Sequence, residues 1–580
     1  MRAPAILGFT LFLSFAAAHA KAYRQVCSRP SSGSVVADPV ELRSRNGVLK
    51  VDLTYRNFLA ADGREQYCYQ DKQGNQAPTL RLQPGDLLIL RLKNELKDFS
   101  ATANKTGSRK ASSTHSVFKI FAMTISSPCA SPKMDALSTN LHFHGTTVRA
   151  ACHQDDVLRT MVQPGDPPFE YRFRIPRDEP PGLYWYHPHV HGYTNPQVLG
   201  GASGALIVEG IERANRKLAG LPERLFIIRD EELLHPDASP APGLVPPPPV
   251  LRDAEGDILN TGTGQGKPAK DLSLNFVPVS YPDYAPARIE GKPSERQLWR
   301  ILNASAVTYL DLQVVDANQP QSLGVVALDG VPITENGMTP DRVLWVDHIF
   351  LPPAGRVECI FKGLPEGIHA RLITRSVDTG PAGENDPVRP LATIVTSDHA
   401  PEPGFRLAES PQPLPASPTV WLGNIRPARV RKLYFSERPA DSHRPNSGTV
   451  FMITVDGQDA KPFDPTAAQP NITVHQGDVE DWIIENRSRE SHAFHIHQIH
   501  FLLTKWGGVP VDEPFLRDTV DVPYWDGKSA KYPSVTLRMD FRNPDAVGTF
   551  VYHCHLLEHE DGGMMGTIRV LPHAIESTAK

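Results

Sequence analysis

The chain carries little net charge, and after its first 20 residues it has no long apolar run. Its 580 residues include 60 Lys and Arg against 65 Asp and Glu, a formal charge of −5, so it offers no strong positive field to a polyanion. We therefore expect no nucleic-acid partner. A membrane span needs roughly 20 apolar residues, so we expect no span either. The sequence also lacks a sustained 3.6-residue apolar period, which excludes a mainly helical fold.

The first 20 residues, MRAPAILGFTLFLSFAAAHA, have the features of a secretory signal peptide. Arg2 precedes an apolar run from Ala5 to Phe15, and the final AHA fits a small-residue cleavage site. An uncleaved membrane anchor is the alternative, but the apolar run is shorter than a span requires. We expect an exported protein, periplasmic or secreted, in which disulfides can form.

Cysteine is scarce. If Cys554 takes part in chemistry, five cysteines remain, which is an odd number. Pairs of Cys27 with Cys68 and of Cys129 with Cys152 are reasonable and would leave Cys359 alone, but spacing does not establish connectivity.

Short runs rich in Val, Ile, Leu, Phe and Tyr recur along the chain, as in GALIVEG, LFIIRD, QLWRILN and VTLRMDF. Gly, Pro, Asp and Asn interrupt them at short intervals, which predicts strands joined by turns. The pattern favours an all-β protein built from antiparallel sandwiches. Two proline-rich stretches predict segments outside the sandwiches. Residues 235–250 are predicted to be an insertion in a second domain, and residues 401–418 a linker to a third domain.

An internal repeat indicates two copies of one fold. LRLQPGDLLILRLKNELK followed by LHFHG parallels ITVHQGDVEDWIIENRSRE followed by FHIHQ. Later, GLYWYHPHVHG parallels GTFVYHCHLLEHE, which aligns His187 with His553 and Pro188 with Cys554. The first copy therefore has the histidines and lacks the thiol. Residues from about 216 to 400 have no His-x-His pair, which predicts a middle domain without ligands.

The 22 histidines form five His-x-His pairs, where random placement would give about one. They lie at 142/144, 187/189, 189/191, 495/497 and 553/555. In a strand, residues i and i+2 project from the same face about 6.6 Å apart. The two imidazoles of a pair can therefore bind two metal ions of one cluster or flank one ion, while the residue between them points to the opposite face.

Cys554 lies between two such histidines, so its thiol points away from both imidazoles while the backbone joins all three. His559 follows five residues later and Met564 ten residues later. One thiolate, two imidazoles and a weak thioether ligand form the donor set of a blue-copper electron-transfer site. The segment SHAFHIHQ offers His492 as the second imidazole. Zinc is the rival metal, but structural zinc favours more cysteine than this chain has.

The motifs LHFHG, YWYHPHVHG, HAFHIH and HCHLLEHEDGGMM resemble, in order and spacing, the four copper motifs of the multicopper oxidases, and they cover most of a three-domain, laccase-type chain. The resemblance implies three cupredoxin-like Greek-key β-sandwich domains. We expect a signal peptide at 1–20, domain 1 at 21–215 with type 2 and type 3 copper ligands, domain 2 at 216–400 as a spacer without ligands, a linker at 401–418, and domain 3 at 419–580 with type 1, type 2 and type 3 ligands.

The resemblance also implies four copper ions and assigns their ligands motif by motif. Type 1 copper would be held by His492, Cys554 and His559, with Met564 axial. Type 2 copper would be held by His142 and His495. The type 3 pair would be held by His144, His187, His189, His497, His553 and His555.

The implied reaction couples one-electron oxidation of a reductant, through an exposed edge of His559, to four-electron reduction of O₂ to two waters. Because the reaction consumes protons, a carboxylate should lie near the cluster. Glu560 matches the acidic residue that serves this role in related bacterial enzymes. A second acid is expected in the segment CHQDDV, where Asp155 and Asp156 are both candidates.

We expect a monomer that oxidises a phenol or an aromatic amine. The nine methionines form no cluster in the sequence, which disfavours an oxidase specialised for Cu⁺. We expect Met565 to pack in the core and not to replace Met564 as the axial ligand, and we expect His191 to support a ligand or to lie on the surface. A metallo-oxidase of Cu⁺, Fe²⁺ or Mn²⁺ is the alternative, since it needs only acidic residues near His559. A copper-free cupredoxin scaffold is a third alternative, although such proteins lack the ligand motifs that this chain has.

Overall fold

The computed structural model describes residues 27–573, apart from 100–126, 132, 239–263, 265, 334–340, 413–419, 442–443 and 514. The predicted signal peptide lies outside the described residues, as do most of 235–250 and the end of 401–418. The described residues form 35 strands and only short helices, which confirms the all-β prediction. The strands build three sandwiches in chain order, each made of two sheets.

The first sandwich contains β1 (Glu41–Arg43), β2 (Val48–Leu59), β3 (Glu65–Gln70), β4 (Thr79–Leu82), β5 (Leu87–Asn94), β6 (His142–His144), β7 (Phe169–Arg174), β8 (Gly182–His187) and β9 (Gly204–Val208). One sheet has the strand order β1-β4-β9-β8-β6, and the other has the order β3-β2-β5-β7.

The second sandwich contains β10 (Pro222–Glu231), β11 (Asp271–Leu274), β12 (Val277–Val279), β13 (Ala287–Gly291), β14 (Gln297–Asn303), β15 (Leu310–Asp316), β16 (Gln319–Gln321), β17 (Leu323–Leu328), β18 (Val331–Pro332), β19 (Leu344–Val346), β20 (Ile349–Leu351), β21 (Arg356–Phe361), β22 (His369–Thr374), β23 (Arg389–Thr396) and β24 (Phe405–Arg406). Its sheets have the orders β12-β11-β10-β14-β21-β17-β18 and β13-β23-β22-β15-β16. Strand β24 pairs with β10, so the start of the predicted linker belongs to this sandwich.

The third sandwich contains β25 (Arg429–Asp441), β26 (Arg444–Val455), β27 (Ile472–His475), β28 (Val479–Asn486), β29 (His492–Ile496), β30 (Phe501–Trp506), β31 (Val509–Pro510), β32 (Thr519–Val522), β33 (Ser534–Asp540), β34 (Gly548–Cys554) and β35 (Met565–Leu571). Its sheets have the orders β26-β25-β28-β33-β30-β31 and β27-β35-β34-β29-β32.

The helices are short. The α-helices are α1 (Thr194–Leu199), α2 (Ile211–Ala214) and α3 (Leu557–Asp561), and 3-10 turns lie at Pro128–Ala130, Arg216–Leu218, Leu422–Asn424 and Pro544–Ala546. Among the described helices, none has the length and apolar composition needed to cross a membrane.

The sheets are mixed, which differs from the predicted antiparallel sandwiches. Strand β2 pairs with β5, β10 with β14, and β25 with β28, each in parallel. A parallel pair needs a crossover connection, and the chain provides it by placing β4, β13 and β27 in the opposite sheet. The short strand runs predicted the strands but carried no information on these pairings.

The first and second sandwiches share a core. Strands β10, β14 and β21 are buried at every position, because their outer faces pack against the first sandwich, where Leu183 and Trp185 meet Ile227 and Leu302. By contrast, β2 alternates between buried and less buried residues, as expected of a strand with one face on a core.

The two copies of the sequence repeat pair their histidine-bearing strands in the same register. In the first sandwich His142 on β6 pairs with His187 on β8, and in the third His495 on β29 pairs with His553 on β34. The two sandwiches therefore present their histidine pairs in the same way.

Disulfides join Cys27 to Cys68 and Cys129 to Cys152, which are the pairs that the sequence offered. Cys359 and Cys554 are buried free thiols.

Candidate metal centres

Eight histidines, none more than 2% exposed, meet between the first and third sandwiches. The ring of His142 stacks on that of His497 at 3.8 Å, and the ring of His144 stacks on that of His495 at 3.9 Å. Within several triplets of the eight, the nearest ligand atoms all lie within 4.8 Å of one another. This polyhistidine cluster consists of His142, His144, His187, His189, His495, His497, His553 and His555.

Unpartnered ring nitrogens show what the polyhistidine cluster can hold. Buried nitrogens without a hydrogen-bond partner are Nε2 of His142, His187 and His495, Nδ1 of His144 and His497, and both nitrogens of His555. In the other two histidines, His189 and His553, the Nε2 atoms face each other at 3.3 Å. Buried polar atoms are normally paired, and imidazole nitrogen is a ligand for copper. The residues therefore fit a group of copper ions.

Burial holds seven of the eight imidazoles in the neutral form that metals require. Burial lowers the pKa of His187 to about 3. Burial also lowers, to well below the usual range, the pKa values of His142, His144, His189, His497, His553 and His555.

Asp155 is the acid of the CHQDDV segment that contacts the polyhistidine cluster. Both of its carboxylate oxygens lie 3.0 Å from Nδ1 of His142, and Gln498 donates to it at 2.6 Å. Burial raises the pKa of Asp155 to about 8. Asp156 is only half-buried, and it accepts backbone N–H groups of its own loop.

Glu560, on α3, lies against two other members of the cluster. Its Oε1 is 3.6 Å from Nδ1 of His189 and its Oε2 is 3.5 Å from Nδ1 of His553, while Thr194 donates to Oε1 at 3.0 Å. Burial, together with the charge of Asp561, raises the pKa of Glu560 well above its usual range. A carboxyl group of this kind can hold a proton beside both histidines near neutral pH.

Asp518 and Arg356 are site residues that the sequence did not reveal. Asp518 Oδ1 lies 3.2 Å from Nε2 of His144, and its backbone carbonyl lies 2.9 Å from Nδ1 of His495. Arg356, at the start of β21 in the second sandwich, donates to both carboxylate oxygens, at 2.7 Å for Oδ1. No local pattern could have shown this, because Asp518 is 374 residues from His144 and 162 from Arg356.

A second centre lies on the other face of β34. The Sγ of Cys554 is 3.5 Å from Nδ1 of His492 and 3.8 Å from Nδ1 of His559, and the two Nδ1 atoms are 3.1 Å apart. Met564 is fully buried in the same core, and its carbonyl accepts the N–H of Cys554. Burial raises the pKa of the Cys554 thiol well above its usual range, and a coordinated metal ion deprotonates such a thiol. This Cys/His₂ centre fits one copper ion.

Two carboxylates meet the outward nitrogens of the Cys/His₂ centre. Glu437 Oε1 lies 3.1 Å from Nε2 of His492, and Glu490 Oε1 lies 3.3 Å from Nε2 of His559. The expected exposed edge of His559 is small: the residue is 6% exposed, because the ring of Phe451 stacks on it at 4.3 Å. The sequence did not point to either glutamate, since both reach the centre through tertiary packing.

The comparisons with known proteins agree with this geometry. Family models described as multicopper oxidase match residues 133–213 and 439–574. Multicopper oxidase mco of Staphylococcus aureus is 35% identical over 438 residues, which cover 75% of this chain and 77% of the relative. A laccase of Bacillus subtilis is 21% identical over 415 residues, 68% of this chain and 71% of the relative. A solved multicopper oxidase from Campylobacter jejuni, described as a metallo-oxidase, has a TM-score of 0.62 at 22% identity and covers 94% of this chain and 96% of its own.

The three sandwiches and the two copper-fitting centres define an oxidoreductase of cupredoxin type, and the likeness to the solved structure confirms the predicted fold. The chain belongs to the multicopper oxidase family. It is therefore a copper-dependent oxidoreductase that couples oxidation of a reductant to reduction of O₂.

Proposed function

We propose that this multicopper oxidase takes its electrons from a divalent cation that carboxylate oxygens can bind, Mn²⁺ or Fe²⁺. The observation that carries the proposal is the pair of carboxylates, Glu437 and Glu490, at the outward nitrogens of His492 and His559. Carboxylate oxygens suit hard cations such as Mn²⁺. A cation held there would lie one imidazole away from the Cys/His₂ centre.

Limited access to the centre also favours a small reductant. His492 is fully buried and His559 is 6% exposed, so little imidazole edge is open for a phenol ring to contact. The side chains of Glu437 and Glu490 remain 17% and 9% exposed. A reductant arriving from solvent would therefore meet carboxylate before imidazole.

We assign four coppers to the two centres. The Cys/His₂ centre is the type 1 site, with His492, Cys554, His559 and axial Met564. In the polyhistidine cluster, His142 and His495 would hold type 2 copper, and the remaining six histidines would hold the type 3 pair. Support comes from the unpartnered Nε2 atoms of His142 and His495, and the ring centroids of these two residues lie 6.0 Å apart.

We also assign the three sandwiches to the three predicted domains.

When bound, the coppers supply the one-electron steps that join oxidation of the reductant to reduction of O₂ to water. Cys554, the last residue of β34, faces the reductant side, and the backbone links it directly to His553 and His555, which face the oxygen side. Glu560 holds a proton at its carboxyl group beside His189 and His553. Asp155 orients His142 through Nδ1 and leaves Nε2 free for metal.

The test measures O₂ uptake with Fe²⁺, Mn²⁺, Cu⁺ and a dimethoxyphenol. We expect the wild type to turn over Fe²⁺ or Mn²⁺ fastest. Glu437→Gln and Glu490→Gln should each lower kcat/KM for that cation on the order of tenfold, about 1.4 kcal/mol. Neither variant should change the blue absorption. Glu485→Gln is the control, since Glu485 pairs with Lys432 and Arg487 instead. Faster turnover of the phenol by the wild type, or equal loss of phenol and cation turnover in both variants, would overturn the proposal.

A phenol is the second candidate reductant, as the sequence predicted. Oxidation of a phenol releases its hydroxyl proton, and Glu437 or Glu490 could accept that proton. The Bacillus subtilis relative named as a laccase supports this reading. The same assay decides between the two candidates.

Export and a monomeric state are further parts of the proposal. The signal-like segment at 1–20 supports export, and so do the two disulfides, which persist in oxidising compartments. Fractionation of the native host followed by size-exclusion chromatography would test both.

A further inference from the structure

Three of the nine methionines of the chain line one cleft, which we call the methionine cleft. Its thioether side chains are Met134, Met161 and Met565, and the imidazoles of His191 and His189 also line it. The cleft is small and partly open to solvent. The sequence predicted no methionine cluster, because Met161 and Met565 are hundreds of residues apart.

We propose that the methionine cleft binds a cuprous ion and delivers it to the polyhistidine cluster. Thioethers are soft ligands that select Cu⁺, and the remaining side chains that line the cleft are neutral. Hard divalent cations would find no carboxylate among the described residues that line it. The chemistry of the cleft therefore differs from that of Glu437 and Glu490 at the Cys/His₂ centre.

His191 adds a nitrogen donor to the lining of the cleft. Its Nδ1 is buried and has no hydrogen-bond partner, while its ring packs edge-on against Phe463 with centroids 5.0 Å apart. A buried nitrogen without a partner is uncommon in a folded protein. Together with Met161, 1% exposed, and Met565, 4% exposed, it gives the cleft a neutral sulfur and nitrogen donor set.

The cleft runs from the surface to a ligand of the cluster. Met134 and Phe463 are half-buried and Pro465 is exposed, whereas His189 is 2% exposed. Delivery is a ligand exchange: bonds from Cu⁺ to thioether sulfurs break, and a bond to Nε2 of His189 forms. The ion stays cuprous and the neutral imidazole releases no proton, so the step needs no further reactant. This role does not depend on the identity of the reductant.

Binding is tested on the copper-loaded enzyme with Ag⁺ as a redox-silent substitute for Cu⁺. After desalting, metal analysis should find one silver ion per wild-type chain, and the double variant Met134→Leu/Met161→Leu should bind it at least about tenfold more weakly. Met539→Leu, at a buried position on β33 outside the cleft, is the control and should bind silver like the wild type. A wild type that retains no silver, or a double variant that retains it equally, would overturn the site.

Delivery is tested by loading the apoprotein with chelated Cu⁺ under anaerobic conditions and then oxidising samples taken over time with ferricyanide, an oxidant that does not require a filled cluster. The double variant should fill its histidine sites about tenfold more slowly than the wild type, while the blue absorption of the Cys/His₂ centre develops at the same rate in both. Total copper at the end should be equal. If the histidine sites fill equally fast in both proteins, the delivery role is wrong.

Discussion

Arg356 links the second sandwich to the polyhistidine cluster through Asp518. Its guanidinium is fully buried, binds both oxygens of Asp518 and lies 3.5 Å from Asp329. Asp518 in turn contacts His144 and His495. We predict that Arg356→Met weakens both folding and copper binding, although the second sandwich supplies no histidine to the cluster.

The size of the effect follows from burial. Removing the guanidinium leaves Asp518 charged, fully buried and without its cationic partner, which costs about 3–5 kcal/mol of stability. Loss of a partner that orients a metal ligand typically lowers metal affinity or activity about 10–100-fold. The double variant Arg356→Met/Asp518→Asn removes the unpaired charge at position 518, so it should regain part of the lost stability. Asp329 keeps the backbone N–H groups of residues 356, 518 and 519 as partners. The double variant should not regain copper affinity, because the carboxylate that orients His144 is gone.

The assay combines urea unfolding of the apoprotein with copper retention against a chelator. Arg389→Met is the matched control, because Arg389 forms a buried pair with Asp386 in the same sandwich but does not contact the cluster. The control should lose stability and keep its copper affinity. If Arg356→Met retains both wild-type stability and wild-type copper affinity, or if Arg389→Met loses copper equally, the positioning role of Arg356 is wrong.

Three further predictions concern other contacts. Burial would raise the pKa of Glu223, but the charges of Arg300 and Arg81 outweigh burial and lower this pKa from 4.5 to about 2. Glu223→Gln should therefore lower the free energy of unfolding by about 3 kcal/mol at pH 7. Because the native carboxylate becomes protonated in acid, this loss should shrink as the pH falls from about 5 towards 2. Asp155→Asn should lower turnover about 10–100-fold and leave the blue absorption unchanged. Gly182→Ala should destabilise by at least about 1–3 kcal/mol, because a Cβ there would overlap the carbonyl oxygen of Gly330.

Each of these has a control and a contrary outcome. Glu170→Gln is the control for Glu223→Gln: Glu170 pairs with Arg172 at the exposed surface, so its loss should hardly change the stability. If the stability lost in Glu223→Gln does not change with pH, the charge argument is wrong. Asp156→Asn should keep most activity, and equal loss in both aspartate variants would refute the role given to Asp155. Gly404→Ala has open space for its Cβ, so a similar loss there would remove the steric explanation for Gly182.

The predictable part of the site was local in sequence. His142 and His144 lie on β6, and each of the other three pairs of the cluster begins on a strand and ends just past it, at His189, His497 and His555. Each pair spans only three residues, so the two centres could be expected before the fold was known. The all-β class of the fold could also be predicted, because strand-like runs are local patterns in the sequence. Parallel pairing between β10 and β14 could not, because short strand runs do not encode their partners.

The unpredicted part depends on contacts between distant segments. Asp518, Glu437 and Glu490 carry no motif, and each meets its histidine only because separate strands pack together. Burial of His559 under Phe451 likewise arises from the β25–β26 hairpin. The methionine cleft is another case, since its three thioethers come from separate parts of the chain.

The most direct test is metal analysis with optical spectroscopy of the copper-loaded wild type and of Cys554→Ser. We predict an intense band at about 600 nm in the wild type, as expected of a blue-copper centre. In the variant, we predict loss of that band and of substrate-driven O₂ uptake, with copper retained at the polyhistidine cluster. A loaded wild type without the band, or a variant that keeps it, would contradict the assignment of Cys554 as the thiolate that links the two centres.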